Sequence, residues 1–226
     1  MPWLILLLLV VAVVFGPSLW AKWVLKHHAQ DRPDFPGTGG ELARHLLDEA
    51  GLPEVPVEAT DGGDHYDPEN KVVRLSRDNL DGRSLTAVAV AAHEVGHALQ
   101  DKEHYLPLKT RTRLVKSLGG IQKLGSIILF GTFALGAVSR SPVVALLGLG
   151  AGIATMASAV VVHLATLPVE FDASFKRALP ILERGGYLPK RDLPAARSIL
   201  RACALTYVAA SLASLLNLWR WIRYLR

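Results

Sequence analysis

The stretch that decides the fold is Ser84-Leu-Thr-Ala-Val-Ala-Val-Ala-Ala-His93-Glu94-Val95-Gly96-His97-Ala-Leu-Gln100. Ala, Val and Leu fill its first half, which predicts a helix from about Ser84 to Gln100 whose small alanines let other elements pack closely. On a helix, residues four apart share a face, so His93 and His97 point the same way. Their imidazoles can then hold one zinc ion, and Glu94 between them can act on the metal-bound water. By composition the pattern arises by chance in about one chain of this size in a hundred. The plain alternative is a helix carrying two surface histidines. A catalytic zinc site also needs a third protein ligand and an open position.

The chain around this helix divides by charge. It has 226 residues, half of them hydrophobic, 20% charged, and a net charge of +5. No charged side chain precedes Lys22, and residues 124–139, 141–169 and 202–219 lack Asp, Glu, Lys and Arg. Such uncharged runs predict a multi-span membrane protein and exclude a disordered chain. Residues 1–26 read as an uncleaved transmembrane anchor: nothing basic precedes the apolar run, while Lys22 and Lys26 follow it, and Trp3, Trp20 and Trp23 mark its ends. Residues 27–118 are the polar part with the zinc helix. Residues 119–165 form a transmembrane hairpin, 166–198 a polar connector with a helix near 169–182, and 199–226 a C-terminal membrane helix.

Within the polar part, Thr38 and Glu41 fit a capping box opening a short helix that ends near Gly51. Val55–Glu58 and Lys71–Ser76 read as strands, with Asp61-Gly-Gly-Asp64 as the turn between them. The fold class is therefore mainly α, with a small β-sheet. One cysteine, Cys203, excludes an intrachain disulfide framework and a cysteine-cluster metal site. The positive charge suits lipid headgroups, and nothing supports nucleic-acid binding. Lys22, Lys26, Arg32, Lys109, Arg111, Arg113, Lys116, Lys176, Arg177 and Arg184 flank the spans on one side, whereas the 139–142 turn holds only Arg140. This predicts a plasma-membrane protein with its zinc site facing the cytoplasm. Arg220, Arg223 and Arg226 run against that rule if the fourth segment crosses.

For the third ligand, His27, His28, His45, His65, His104, His163 and several carboxylates are available. Glu170 is the best of them. Two crossings separate it from His97, which returns it to the same membrane face, and a carboxylate one turn beyond a span needs a polar partner at that depth. His163 shares a face with Glu170 only if the helix continues through Pro168, which is expected to interrupt it. Asp64-His-Tyr-Asp-Pro68 is a dense polar cluster, read either as a turn or as a source of substrate and transition-state contacts from His65 and Tyr66. Lys71–Ser76 either pairs with an extended peptide at its edge or is an ordinary sheet strand. Arg177 is assigned to a headgroup rather than to a developing negative charge, and Tyr207 to packing.

His93-Glu-Val-Gly-His-Ala-Leu-Gln100, Asp64–Pro68, Arg74-Leu-Ser76, Thr166-Leu-Pro-Val-Glu-Phe-Asp-Ala-Ser174 and Ala204–Ala210 together resemble the YugP-like neutral zinc metallopeptidases over nearly the whole chain. More distantly the layout is similar to HtpX-type and CAAX-prenyl membrane endopeptidases. The resemblance implies a minimal, gluzincin-like zincin core. It further implies peptide-bond hydrolysis near the cytoplasmic surface, with membrane-associated protein substrates and zinc held by His93, His97 and Glu170. Ser174 stands where the distant relatives carry an aspartate, so Ser174, Asp172 or a backbone carbonyl is expected to orient the first histidine. Two alternatives share the zinc chemistry: a hydrolase of lipid-linked amides or esters, and a non-catalytic zinc-binding regulatory membrane protein. Oligomeric state is left open.

Overall fold

A computed structural model describes residues 2–139 and 141–206. The expectations for Tyr207, for Arg140 and for the rest of the fourth segment lie outside these residues. The order is α1 (Pro2–His27), α2 (Gly39–Glu49), β1 (Val57–Ala59), β2 (His65–Asp67), β3 (Val72–Leu75), α3 (Arg77–Leu80), α4 (Leu85–Lys102), α5 (Leu106–Ser139) and α6 (Pro142–Phe171). A π-helix at Asp172–Ala178 leads directly into α7 (Leu179–Arg184), a 3₁₀ turn follows at Lys190–Asp192, and a last helix, α8, begins at 193 and is described to 206.

The chain is mainly helical with a small sheet. Helix α4 occupies the centre. Ser84 caps it by accepting from the Ala87 amide, and every residue from Leu85 to Ala98 is buried. An all-round buried helix needs small side chains so that neighbours can approach from several directions. Here α2 lies on one side with Ala43, Leu46 and Leu47, β3 on another with Val73 and Leu75, and the segment Ala178–Leu182 with Ile199 and Leu200 on a third. The end of α1 reaches the same core through Ala21 and Val24. The Leu25 carbonyl accepts from Thr86 Oγ1 (2.8 Å) and the His28 carbonyl from the Thr86 amide (3.2 Å), which ties α1 to the first turn of α4. Helix α2 has the capping box: Thr38 Oγ1 accepts from the Glu41 amide and Glu41 Oε2 from the Thr38 amide.

The sheet corrects the sequence reading. Val55–Glu58 and Lys71–Ser76 are not joined as a hairpin. Strands β1 and β3 pair in parallel, with Val57 opposite Val73, and β2 pairs antiparallel on the other edge of β3, with Tyr66 opposite Val73. The polar cluster Asp64–Pro68 therefore supplies an edge strand, not a turn before one. Its polar composition hid it, because short edge strands tolerate charge and lack clean alternation. Arg74 on β3 holds the arrangement, pairing with Glu58 on β1 (3.4 Å) and Asp67 on β2 (2.9 Å). Strand β3 has both edges occupied, so it does not take an added peptide strand. Among the described residues the sheet's outer edges belong to β1 and β2.

The second correction concerns Pro168. It does not interrupt the helix; α6 runs through it to Phe171 and continues as the π-helix. Pro168 and Leu164 face outward, while Thr166, Val169 and Glu170 beside them are buried, so the packed inner face carries the helix through the proline. Helices α5 and α6 form an antiparallel pair with glycines at the contact. A Cβ on Gly148 would lie 2.5 Å from Thr132 Oγ1, and one on Gly125 would overlap Thr155. Such small-residue seams let helix backbones approach closely. Among the described residues, one continuous helix, Pro142–Arg184, is long and apolar enough to cross a membrane.

Candidate metal centre and cavity

Helix α4 presents His93 and His97 one turn apart, with ring centroids 4.7 Å apart and nearly perpendicular. The end of α6 brings Glu170 to the same point. Glu170 Oε2 lies 3.2 Å from His93 Nε2 and 3.4 Å from His97 Nε2. All three side chains are buried, Glu170 to 2% exposure. A tetrahedral zinc site with metal–ligand bonds of about 2.1 Å has ligand–ligand edges of about 3.4 Å. The three donors lie within 4.8 Å of one another, a set that fits zinc.

The outer ring nitrogens explain why the inner ones converge. His93 Nδ1–H donates to Ser174 Oγ (3.1 Å), and the Ser174 hydroxyl in turn donates to the Leu200 carbonyl on α8 (3.1 Å). His97 Nδ1–H donates to Gln100 Oε1 (3.0 Å), while Gln100 Nε2 donates to the Val169 carbonyl (2.8 Å) and Asp172 Oδ1 (2.9 Å). Both histidines are thus fixed in the tautomer that leaves Nε2 free to ligate. Ser174, in the aspartate's place, reaches the first histidine directly. Asp172 acts on the second histidine through Gln100, a residue to which the sequence reading gave no role. Its signal was available: Gln100 lies three residues past His97, on the neighbouring surface of the same helix.

Arg177 is corrected from a headgroup contact. Its side chain is 12% exposed and pairs with Asp172 (2.7 Å) and with Glu103 (3.0 Å). On an α-helix, residues five apart are rotated by about 140° and cannot meet so closely. The π-helix supplies the wider turn that stacks Arg177 beneath Asp172. That pair anchors the carboxylate that anchors Gln100. Removing the amide by Gln100→Ala should weaken zinc binding about 10–100-fold. Titration against a chelator of known affinity measures it, and unchanged affinity would remove Gln100 from the site.

Gly96, between the two histidines, sets the spacing of the two helices. A Cβ there would lie 2.8 Å from the Ala173 carbonyl oxygen, and backbone cannot swing aside as a side chain can. Ala173 is flanked by Asp172 and Ser174, so any shift displaces both supports. Gly96→Ala should therefore lower zinc occupancy and activity together, although alanine is the better helix former by about 1 kcal/mol. Zinc content and the melting temperature of the metal-loaded protein test this. A variant that keeps zinc and melts higher would show that the approach is not limiting.

Glu94 is 5% exposed, and burial pushes its carboxyl above the ordinary range, while His93 and His97 pull it back. Burial also disfavours the charged form of His97, but the neighbouring Glu170 outweighs it and its pKa is pushed up to about 9. A zinc ion bound there would take the place of that proton.

A cavity of about 210 Å³ opens onto the cluster, lined by Asp64, His65, Tyr66, Val90, Glu94 and Arg111 among others. His65 and Tyr66 thus lie on the wall. The Tyr66 hydroxyl donates to Asp101 (3.0 Å), which together with burial pushes its pKa upward, and His65 Nδ1–H donates to the Gly63 carbonyl (2.8 Å).

The family model described as "Putative neutral zinc metallopeptidase" matches residues 3–226. The chain belongs to this family. The metallopeptidase is also 38% identical over 213 residues to a Bacillus subtilis (strain 168) protein named "Putative membrane protease YugP", covering 92% of this chain and 91% of that one. No solved structure matches it.

Proposed function

We propose that this metallopeptidase is a multi-pass membrane endopeptidase that cleaves membrane-associated proteins close to the cytoplasmic surface. One zinc ion is held by His93, His97 and Glu170, and Glu94 is the general base. The observation that carries the reading is the convergence of three buried donors, each histidine oriented by its own partner, on a cavity that also holds Glu94.

When bound, zinc supplies a Lewis acid for the scissile carbonyl and lowers the pKa of a water to about 7. Glu94 accepts that water's proton on its carboxylate and hands it to the leaving amine, which suits a carboxyl whose pKa is raised by burial. Ser174 and Gln100 keep the two imidazoles from turning. Leu25, Val90 and Leu108 make part of the wall apolar, which limits water near the reacting bond. An extended substrate segment pairs with the open edge of β2, beside His65 and Tyr66.

The membrane reading is supported by the outward faces of α5 and α6. Leu124, Ile127, Phe130, Leu146, Leu147 and Leu164 are each more than half exposed, an apolar surface that water does not tolerate on this scale. The basic residues around α1, the start of α5 and the π-helix favour the cytoplasmic side. The relative's name, membrane protease, agrees.

The test uses the full chain in proteoliposomes. Zinc-loaded protein should cleave casein and a detergent-solubilised membrane protein, and a chelator should stop it. In a Cys203→Ser background, Thr60→Cys and Lys190→Cys should label from the cytoplasmic side and Arg140→Cys from the other. Opposite labelling of positions 60 and 190 would overturn the two-span hairpin. Fully metallated protein that cleaves no protein substrate would overturn the peptidase.

A further inference from the structure

The cavity lining holds a cation whose Nε is not engaged by the described residues around it. Arg111 on α5 lines the same wall as His93, Glu94, His97 and Glu170. Its Nε is buried and has no hydrogen-bond partner among the described residues. Native proteins rarely leave a buried N–H unmatched unless something else binds there. Other internal arginines are engaged: Arg177 with Asp172 and Glu103, Arg74 with Asp67, Arg44 with the carbonyls of Leu52 and Val55. The other strong donors on the wall are also engaged. Tyr66 donates to Asp101, His65 to the Gly63 carbonyl, and Thr206 Oγ1 to the Cys203 carbonyl.

Charge balance points the same way. Three carboxylates line the cavity, those of Asp64, Glu94 and Glu170. A divalent zinc ion would offset two of them, and Arg111 stands against the third. The Arg111 guanidinium is then a fixed positive charge for a negative oxygen forming on the substrate. The neighbouring Leu25, Val90 and Leu108 keep that attraction from being screened.

We infer that Arg111 is the oxyanion donor of the site, giving an N–H to the scissile carbonyl oxygen as it becomes negative; this rests on the peptidase reading above. Water's oxygen bonds to the carbonyl carbon, the carbonyl π pair moves onto its oxygen, and Glu94 takes the water's proton. On collapse the pair returns, the C–N bond breaks, and the nitrogen leaves with the proton from Glu94. Arg111 neither gains nor loses a proton.

The experiment compares zinc-loaded wild type, Arg111→Ala, Arg111→Lys and Glu94→Gln, all full-length in detergent. The substrate is an internally quenched peptide blocked at both ends, assayed beside the same peptide with a free C-terminal carboxylate. Arg111→Ala should keep its zinc and lose about 10²–10³ in kcat, with KM little changed. Arg111→Lys should fall between, and millimolar guanidinium should partly rescue Arg111→Ala but not Glu94→Gln. An unchanged kcat, or a rise in KM confined to the free carboxylate, would overturn the inference, the latter making Arg111 an anchor for the substrate terminus. Loss of zinc from both variants would make Arg111 structural and overturn it equally. A wild type that cleaves neither peptide sinks the peptidase reading and this inference together; a cleaving wild type matched by Arg111→Ala sinks this inference alone.

Discussion

Glu94→Gln should bind zinc as fully as wild type and hydrolyse peptides about 10²–10⁴ times more slowly. The side chain is buried on α4, and glutamine has nearly the same size and shape, so the amide fits the same space. What it loses is the lone pair that accepts water's proton. The substitution also removes a buried group whose charge is costly, so the variant should melt no lower than wild type. Zinc by atomic absorption, single-turnover cleavage and thermal melting on one preparation separate these effects. A metallated Glu94→Gln that cleaves at the wild-type rate would remove the general-base role, and one without zinc would make Glu94 part of the binding set.

Glu170→Ala should lose metal and activity together. Two imidazoles remain, and neither has a carboxylate to balance the ion's charge. The change also leaves a hole between α4 and the end of α6, where Glu170 Oε2 now bridges both rings. Glu170→Gln keeps the volume and discards the charge, so it distinguishes lost packing from lost ligation. Both should fall from about one zinc per chain to near none under mild chelation, with Glu170→Gln retaining more of the fold. Full metallation of Glu170→Ala would move the third ligand elsewhere, and His65, already on the cavity wall, would be next to test.

Much of the helical framework was legible because it depends on local chemistry. Ser84, the alanine run and the four-residue histidine spacing define α4 within two residues of its observed ends. The capping box at Thr38 and Glu41 needs only neighbours three apart. The sheet was less legible. Its strands have three or four residues, too few for a period-two pattern, and the parallel pairing of β1 with β3 is a non-local choice. Pro168 was misread for a related reason. A proline penalty is local, but whether the helix survives it depends on how well its opposite face is packed.

The sequence by itself determined the candidate donors: two histidines on one helical face, a glutamate between them, and a second carboxylate after an uncharged run. Those follow from residue chemistry and helical period, which act over a few residues. Tertiary structure decided which groups orient and surround the donors. Ser174 reaches His93 across 81 residues, Gln100 joins His97 to Asp172 on another helix, and Arg177 reaches Asp172 through a π-turn. Arg111, one more basic flank in the sequence, lines the cavity only once the chain has folded. Hydrogen bonds between distant segments depend on packing distances of tenths of an ångström, and no local pattern encodes those.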